Sequence, residues 1–206
     1  SGDGTTMVGT YTVASGDSTS KLAISSFSIG TANKPTDNAG NTMTSTTVPT
    51  GLDMFNNETI IIDTTAPTVS SFTTTTAAGS YKEGEAIQIT ANTNETIQSG
   101  NKITVTLNNT NNTTVVLTAS GDGTTMVGTY TVASGDSTSG AGLAVSSFSI
   151  GTVVDNAGNA MTSSGLPTDS NMFTDKTIII DTISPQVISF TTTTAAGSYK
   201  EGEAIQ

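Results

Sequence analysis

Residues 120–139 read SGDGTTMVGTYTVASGDSTS, and residues 1–20 read the same twenty letters without a change. Inside the stretch Met126, Tyr130 and Val132 fall on one face of a period-2 pattern, the signature of a strand with one buried side. Gly, Asp and Ser clusters bound it at both ends, where a chain turns. One such strand, present twice, decides two things: the fold is built from β-strands, and the chain is internally repeated.

The repetition extends outward from this stretch. SSFSIGT follows both copies. DNAGN occurs at 37–41 and 155–159, TIIIDT at 59–64 and 177–182, and SFTTTTAAGSYKEGEAIQ at 71–88 and 189–206. The last three pairs all lie 118 positions apart. A unit of that length is the size of one domain. Counted from the linker Asp63-Thr64-Thr65-Ala66-Pro67, the expected organisation is the C-terminal half of a unit at 1–63, a complete unit at 64–182, and the start of a third at 183–206. The sequence thus reads as opening and closing in mid-unit, as an excerpt or a processed product does.

Composition excludes several kinds of chemistry. Of 206 residues, 17 are acidic and six basic, a formal charge of −11, and all six bases are lysines. Without cysteine there are no disulfides and no thiolate sites; without histidine there is no Ser-His-Asp triad and no near-neutral general base. An acidic chain without arginine repels phosphate, so nucleic acid is not an expected partner. No apolar run reaches the ~18 residues of a membrane-spanning helix, and no membrane insertion is expected within this segment. Only 11% of residues are charged while Thr, Val and Ile are plentiful. Cβ branching favours strands over helices, so the expectation is an ordered, polar, all-β protein.

Seven strands are expected in the complete unit. Strand A covers 68–73 (Val69, Phe72) and strand B 85–93 (Ile87, Ile89, Ala91). C covers 102–108 (Ile103, Val105, Leu107), D 114–119 and E 125–133. F covers 143–152 (Leu143, Val145, Phe148, Ile150), and G covers 176–181 (Ile178 to Ile180). The period slips between Ser146 and Ser147, which points to a β-bulge. Seven short strands with Gly, Asn and Ser turns describe a two-sheet Greek-key sandwich of immunoglobulin type. Antibody domains also carry a disulfide and a core Trp, and both are missing here.

Antiparallel order decides which loops share an end, and that sorts the acids. Near Asp63 the complete unit presents Glu95 from its B–C loop, Asp122 from D–E, and Asp155, Asn156 and Asn159 from F–G; the preceding half-unit adds Asp17. Near Asp181 it presents Glu83 and Glu85 from A–B and Asp136 from E–F. Carboxylates gathered at one end repel unless solvated or bridged by a cation, and Ca²⁺ takes six to eight oxygen ligands of this kind. The expectation is Ca²⁺ between successive units, stiffening the linker. Against it stands the plain role of Asp and Asn as turn formers.

YKEGEAIQIT, a strand ending in TLNN, then GTYTVASGD, DNAGN and IIIDTTAP follow one another in an order that resembles the tandem immunoglobulin-like repeats of giant bacterial surface and biofilm-associated adhesins. The resemblance covers the whole chain. It implies a non-enzymatic extracellular rod on a bacterial cell surface, with neighbouring units as partners and, in several such families, calcium at the junctions. It carries over as ligand candidates the linker aspartates Asp63 and Asp181, Asp37 and Asp155 of DNAGN, and Glu83, Glu85, Glu201 and Glu203. The segment at 160–175 departs from the pattern in length and differs between copies.

Other readings are weaker. The FTTTT runs occur once per unit, which suits a Thr-rich edge better than an ice-binding ladder. Aromatics make up 5% of residues and fall in the core pattern, leaving little for stacking on sugars. Glu83 and Glu85 sit outside any expected cleft, so glycosidase chemistry is not expected. The N-x-S/T sequons follow from Thr/Asn-rich composition. Two functions stay open: a structural rod module, and a self-assembling extracellular filament subunit completed by strands from neighbouring copies, packed head to tail or laterally.

Overall fold

The computed structural model describes residues 4–49, 58–121, 123–168 and 176–206. Among them there is no helix. Eight strands occur: β1 (Val69–Thr73), β2 (Gly79–Tyr81), β3 (Ala86–Ile97), β4 (Lys102–Leu107), β5 (Thr114–Thr118), β6 (Gly123–Thr131), β7 (Val145–Ile150) and β8 (Ile178–Ile180). β1, β3, β6, β5, β4 and β7 form, in that order, one antiparallel six-stranded sheet. β2 and β8 form a separate parallel pair.

Alternation is what places the core. β4, KITVTL, buries Ile103, Val105 and Leu107 and turns its threonines outward. β3 does the same with Ile87, Ile89 and Ala91, and β5 with Val115 and Leu117. Each large side chain taken out of water this way contributes ~1.5–3 kcal/mol. β1 and β7 are the two end strands of the six, yet the rings of Phe72 and Phe148 meet edge to face with centroids 5.6 Å apart. The sheet therefore folds over on itself, and its two ends share one core. The architecture is all-β and consistent with the sandwich or barrel class.

The connection between the two halves differs from the expected pair of separate sheets. β5 pairs with β4 over Thr114–Thr118 and meets β6 at a single register pair, Thr118↔Val127, which joins everything into one sheet. Gly128 sits where β5 and β6 come closest: a Cβ there would lie 2.4 Å from the Val116 carbonyl oxygen. The slip in period in β7 is a bulge, since Thr106 faces Ser147 while Leu107 faces Val145, leaving Ser146 unpaired. β2 had no strand signal. Gly79-Ser80-Tyr81 is too short to alternate and owes its form to β8 beside it.

All eight strands lie within 69–180. Among the described residues of 1–63 and 183–206 there are only isolated bridges, Thr19↔Ile62 and Thr36↔Thr42. Several side chains that are buried in the middle unit are open to solvent there. Phe72 is 1% exposed and its repeat Phe190 is 93% exposed; Tyr130 is 1% exposed and its repeat Tyr11 is 54% exposed.

Candidate metal centre at the linker

Three elements converge at the linker. The first is the linker itself. Ile62 is buried and exchanges two backbone hydrogen bonds with Thr19, at 2.9 and 3.0 Å. The Thr64 hydroxyl donates to the Asp17 carbonyl and accepts from the Gly16 N–H, both at 3.1 Å. Asp63 lies between these anchors and closes its own turn by accepting from the Thr65 N–H at 3.0 Å.

The second is an irregularity in β3. Asn92 faces Thr125 on β6, but the next register pair is Ile97↔Gly123. Residues 93–96 thus stand opposite Thr124 alone, three more on the β3 side than on β6, and Glu95 lies in this bulge. The bulge is clasped to the linker: the Thr68 N–H donates to Asn94 Oδ1 at 2.6 Å, and the Asn94 N–H donates to the Thr68 carbonyl at 3.1 Å. The Thr93 hydroxyl donates to the Glu95 carbonyl at 2.7 Å, fixing the turn.

The third is the DNAGN loop after β7. Asp155 is buried, at 1% exposure, and both its carboxylate oxygens accept from Asn159, Oδ1 from the N–H at 2.8 Å and Oδ2 from the side-chain amide at 2.7 Å. Gly158 takes φ +94°, a left-handed value that favours glycine. The Asn159 amide also donates to the Asp63 carbonyl at 3.0 Å, tying this loop to the linker. Asp37–Asn41 repeats the geometry, with Asn41 donating to Asp37 twice at 2.8 Å. Those bonds hold the Asp37 carboxyl below its ordinary range.

Asp63, Glu95 and Asp155 each bring a carboxylate oxygen to within 4.8 Å of the other two. Oxygens bound to one divalent cation at ~2.0–2.6 Å stand at most ~5 Å apart, so this spacing is short enough for a shared metal ion. Each oxygen that already accepts one hydrogen bond keeps a second lone pair for a cation. Burial, then the charges of Asp63 and Asp155, push the Glu95 carboxyl above its ordinary range. Asn156 is exposed and lines the same open cleft, about 590 Å³, with Asn94 and Thr124. Among the described residues this is the one group of three or more acids close enough to share an ion.

The other candidates sit elsewhere. Asp122 lies outside the described residues, as does the 169–175 part of the long segment. The Asp17 carboxylate accepts from the Tyr11 hydroxyl and from the Ala14 N–H, and it is not among the acids that meet at the linker. Asp136, its repeat, is fully buried and accepts from the Tyr130 hydroxyl at 2.6 Å, the Ala133 N–H at 3.0 Å and the Asn111 amide at 2.7 Å. Burial pushes its carboxyl up, but these bonds outweigh burial and hold it below the ordinary carboxylate range. Tyr130 is pushed far up, by burial and then by Asp136. Asp136 therefore clasps the end of β6. The sequence carried a signal for this role, a Tyr six residues ahead of an Asp in both copies. Glu85 accepts from the Lys82 N–H and Asp181 from the Ile183 N–H, closing local turns, as Glu203 does with Lys200; Glu83 and Glu201 are exposed.

No known family model matches this chain, and no curated protein and no solved structure matches it.

Proposed function

We propose that this chain is a stretch of a structural rod, a tandem array of immunoglobulin-like modules on a bacterial cell surface, whose joints Ca²⁺ stiffens. The observation that carries the reading is the meeting of Asp63, from the linker, with Glu95 and Asp155 of the unit that follows. A cation held by all three ties the linker to that unit at two separate points. The calcium would supply charge neutralisation and a rigid link, nothing catalytic. The rod reading draws further support from the sequence repeat, from an all-β unit that spans about one repeat, and from the order of motifs that resembles adhesin repeats.

Isothermal titration calorimetry with CaCl₂ tests the site. The chain should bind one ion at the joint, and Asp63→Asn or Glu95→Gln should abolish that heat. Binding unchanged in both variants, or no binding by the parent, would remove calcium from the account.

A further inference from the structure

The turn that follows β6 has a second partner, the stretch of chain that leaves the unit after β8. We infer that the turn Ala133–Asp136 is a cradle for the outgoing linker, which fixes the linker's direction to the unit it leaves with no ion involved. The cradle does not rest on the calcium site; only its consequence for joints rests on the rod reading.

The cradle is held from three sides. Gly135 takes φ +81°, and the Asp136 N–H donates to the Ala133 carbonyl at 3.1 Å, so the chain doubles back. The buried Asp136 carboxylate accepts from Tyr130, Ala133 and Asn111, which locks the turn from inside. From the β4–β5 connection, the N–H and the hydroxyl of Thr110 both donate to the Ser137 carbonyl at 2.9 Å. The outgoing chain lies against this support. Thr138 and Ile180 exchange two hydrogen bonds, from the Thr138 N–H to the Ile180 carbonyl and from the Ile180 N–H to the Thr138 hydroxyl, both at 3.1 Å. Ser137 bridges Asp181, whose N–H donates to the Tyr81 carbonyl at 3.0 Å. The Thr182 hydroxyl then donates to the Asp136 carbonyl at 3.1 Å. Residues 180–182 are thus each held, and every acceptor that holds them is a neutral oxygen of the protein.

The first copy repeats the construction. The Tyr11 hydroxyl and the Ala14 N–H donate to the Asp17 carboxylate, Gly16 takes φ +89°, and the Thr64 hydroxyl donates to the Asp17 carbonyl. It does so with no strand among the described residues of 1–63, so the geometry follows from the local sequence, YTVASGD against IIIDT. The next anchor along the chain is Thr68, which exchanges two hydrogen bonds with Asn94. Between Thr64 and Thr68 lie Thr65, Ala66 and Pro67, and the proline ring fixes its own φ. In the rod reading a joint therefore bends at Thr65–Ala66, and bending there strains the bond from Asn159 to the Asp63 carbonyl.

Backbone ¹⁵N relaxation of the 206-residue chain in EGTA tests the cradle with two variants. Thr182→Val deletes the hydroxyl at nearly constant shape, and Thr182→Ser keeps it. In the parent and in Thr182→Ser the amides of residues 181 and 182 should be as rigid as those of β4, with order parameters of about 0.85, and in Thr182→Val they should fall to about 0.6. The β4 amides should stay the same in all three, which is the folding control. Adding CaCl₂ to the parent should leave the values at 181 and 182 as they were. A parent whose residues 181 and 182 are mobile in EGTA, a Thr182→Val chain as rigid there as the parent, or a Thr182→Ser chain as mobile as Thr182→Val would each overturn the cradle. Because the rigidity is read without calcium, a failure of calcium binding in calorimetry would end the calcium reading and leave this one standing.

Discussion

Asp136 and Asp155 are both buried carboxylates, yet they do different work, and the difference lies in what faces them. Asp136 accepts from Tyr130, Ala133 and Asn111, so its charge is met entirely by hydrogen-bond donors. Removing the phenol leaves a buried acceptor short of a partner, which costs ~1–3 kcal/mol. Tyr130→Phe should lower the denaturation midpoint by that amount in urea at neutral pH. Because the folded Asp136 carboxyl titrates below its ordinary value of 3.8, its contribution is present above that value and is lost as pH falls through the lower, folded value. The acid limb of the stability curve should accordingly be shallower in Tyr130→Phe than in the parent. Glu95 has the opposite sign. Its carboxyl is raised by burial and by Asp63 and Asp155, so the proton it holds favours the folded state, and that contribution fades as pH rises through the raised value. Without calcium, Glu95→Gln should be as stable as the parent or slightly more so, by under about 1 kcal/mol, since the site is half-exposed. With calcium the order should reverse, and thermal melts in EGTA and in CaCl₂ read both arms. Of these acids, recurrence made Asp63 and Asp155 visible in the sequence, while Glu95, which occurs once, was placed at the same end by the antiparallel order of the strands. Asp136 also recurs, but its bond to Tyr130 depends on a turn after β6 that residue type alone does not specify.

At the scale of elements, β3 as far as Thr93, β4 and β6 were legible because each alternates against a buried face, where a slip of one residue would expose the whole apolar set. The bulge in β7 was legible for the same reason, as two polar serines in a row between Val145 and Phe148. Two features were not. β2 has no pattern of its own, and the bulge at 93–96 lies in a polar run, NTNET, that reads as a loop. That run is instead a bulge in a twelve-residue strand, and it is what delivers Glu95 to the linker. The close approach of β5 to β6 offers a test at this scale. Gly128→Ala puts a methyl 2.4 Å from the Val116 carbonyl and should destabilise by ~1–3 kcal/mol. Gly9 has the same sequence neighbours but nothing within 4 Å of the added Cβ, so Gly9→Ala should change the melting curve by no more than ~0.5 kcal/mol.

For the whole molecule, the described acids of the middle unit are placed in loops and at one bulge, while the outward faces of β4, β5 and β6 carry Thr, Val and Lys102. In the proposed rod the joints would govern stiffness: rigid where carboxylates from linker and unit share a cation, loose where they repel. Small-angle scattering of the chain in CaCl₂ and in EGTA tests this most directly. The account predicts that calcium narrows the pair-distance distribution and that Asp63→Asn abolishes the change. Identical curves with and without calcium, or a calcium response that survives Asp63→Asn, would contradict it.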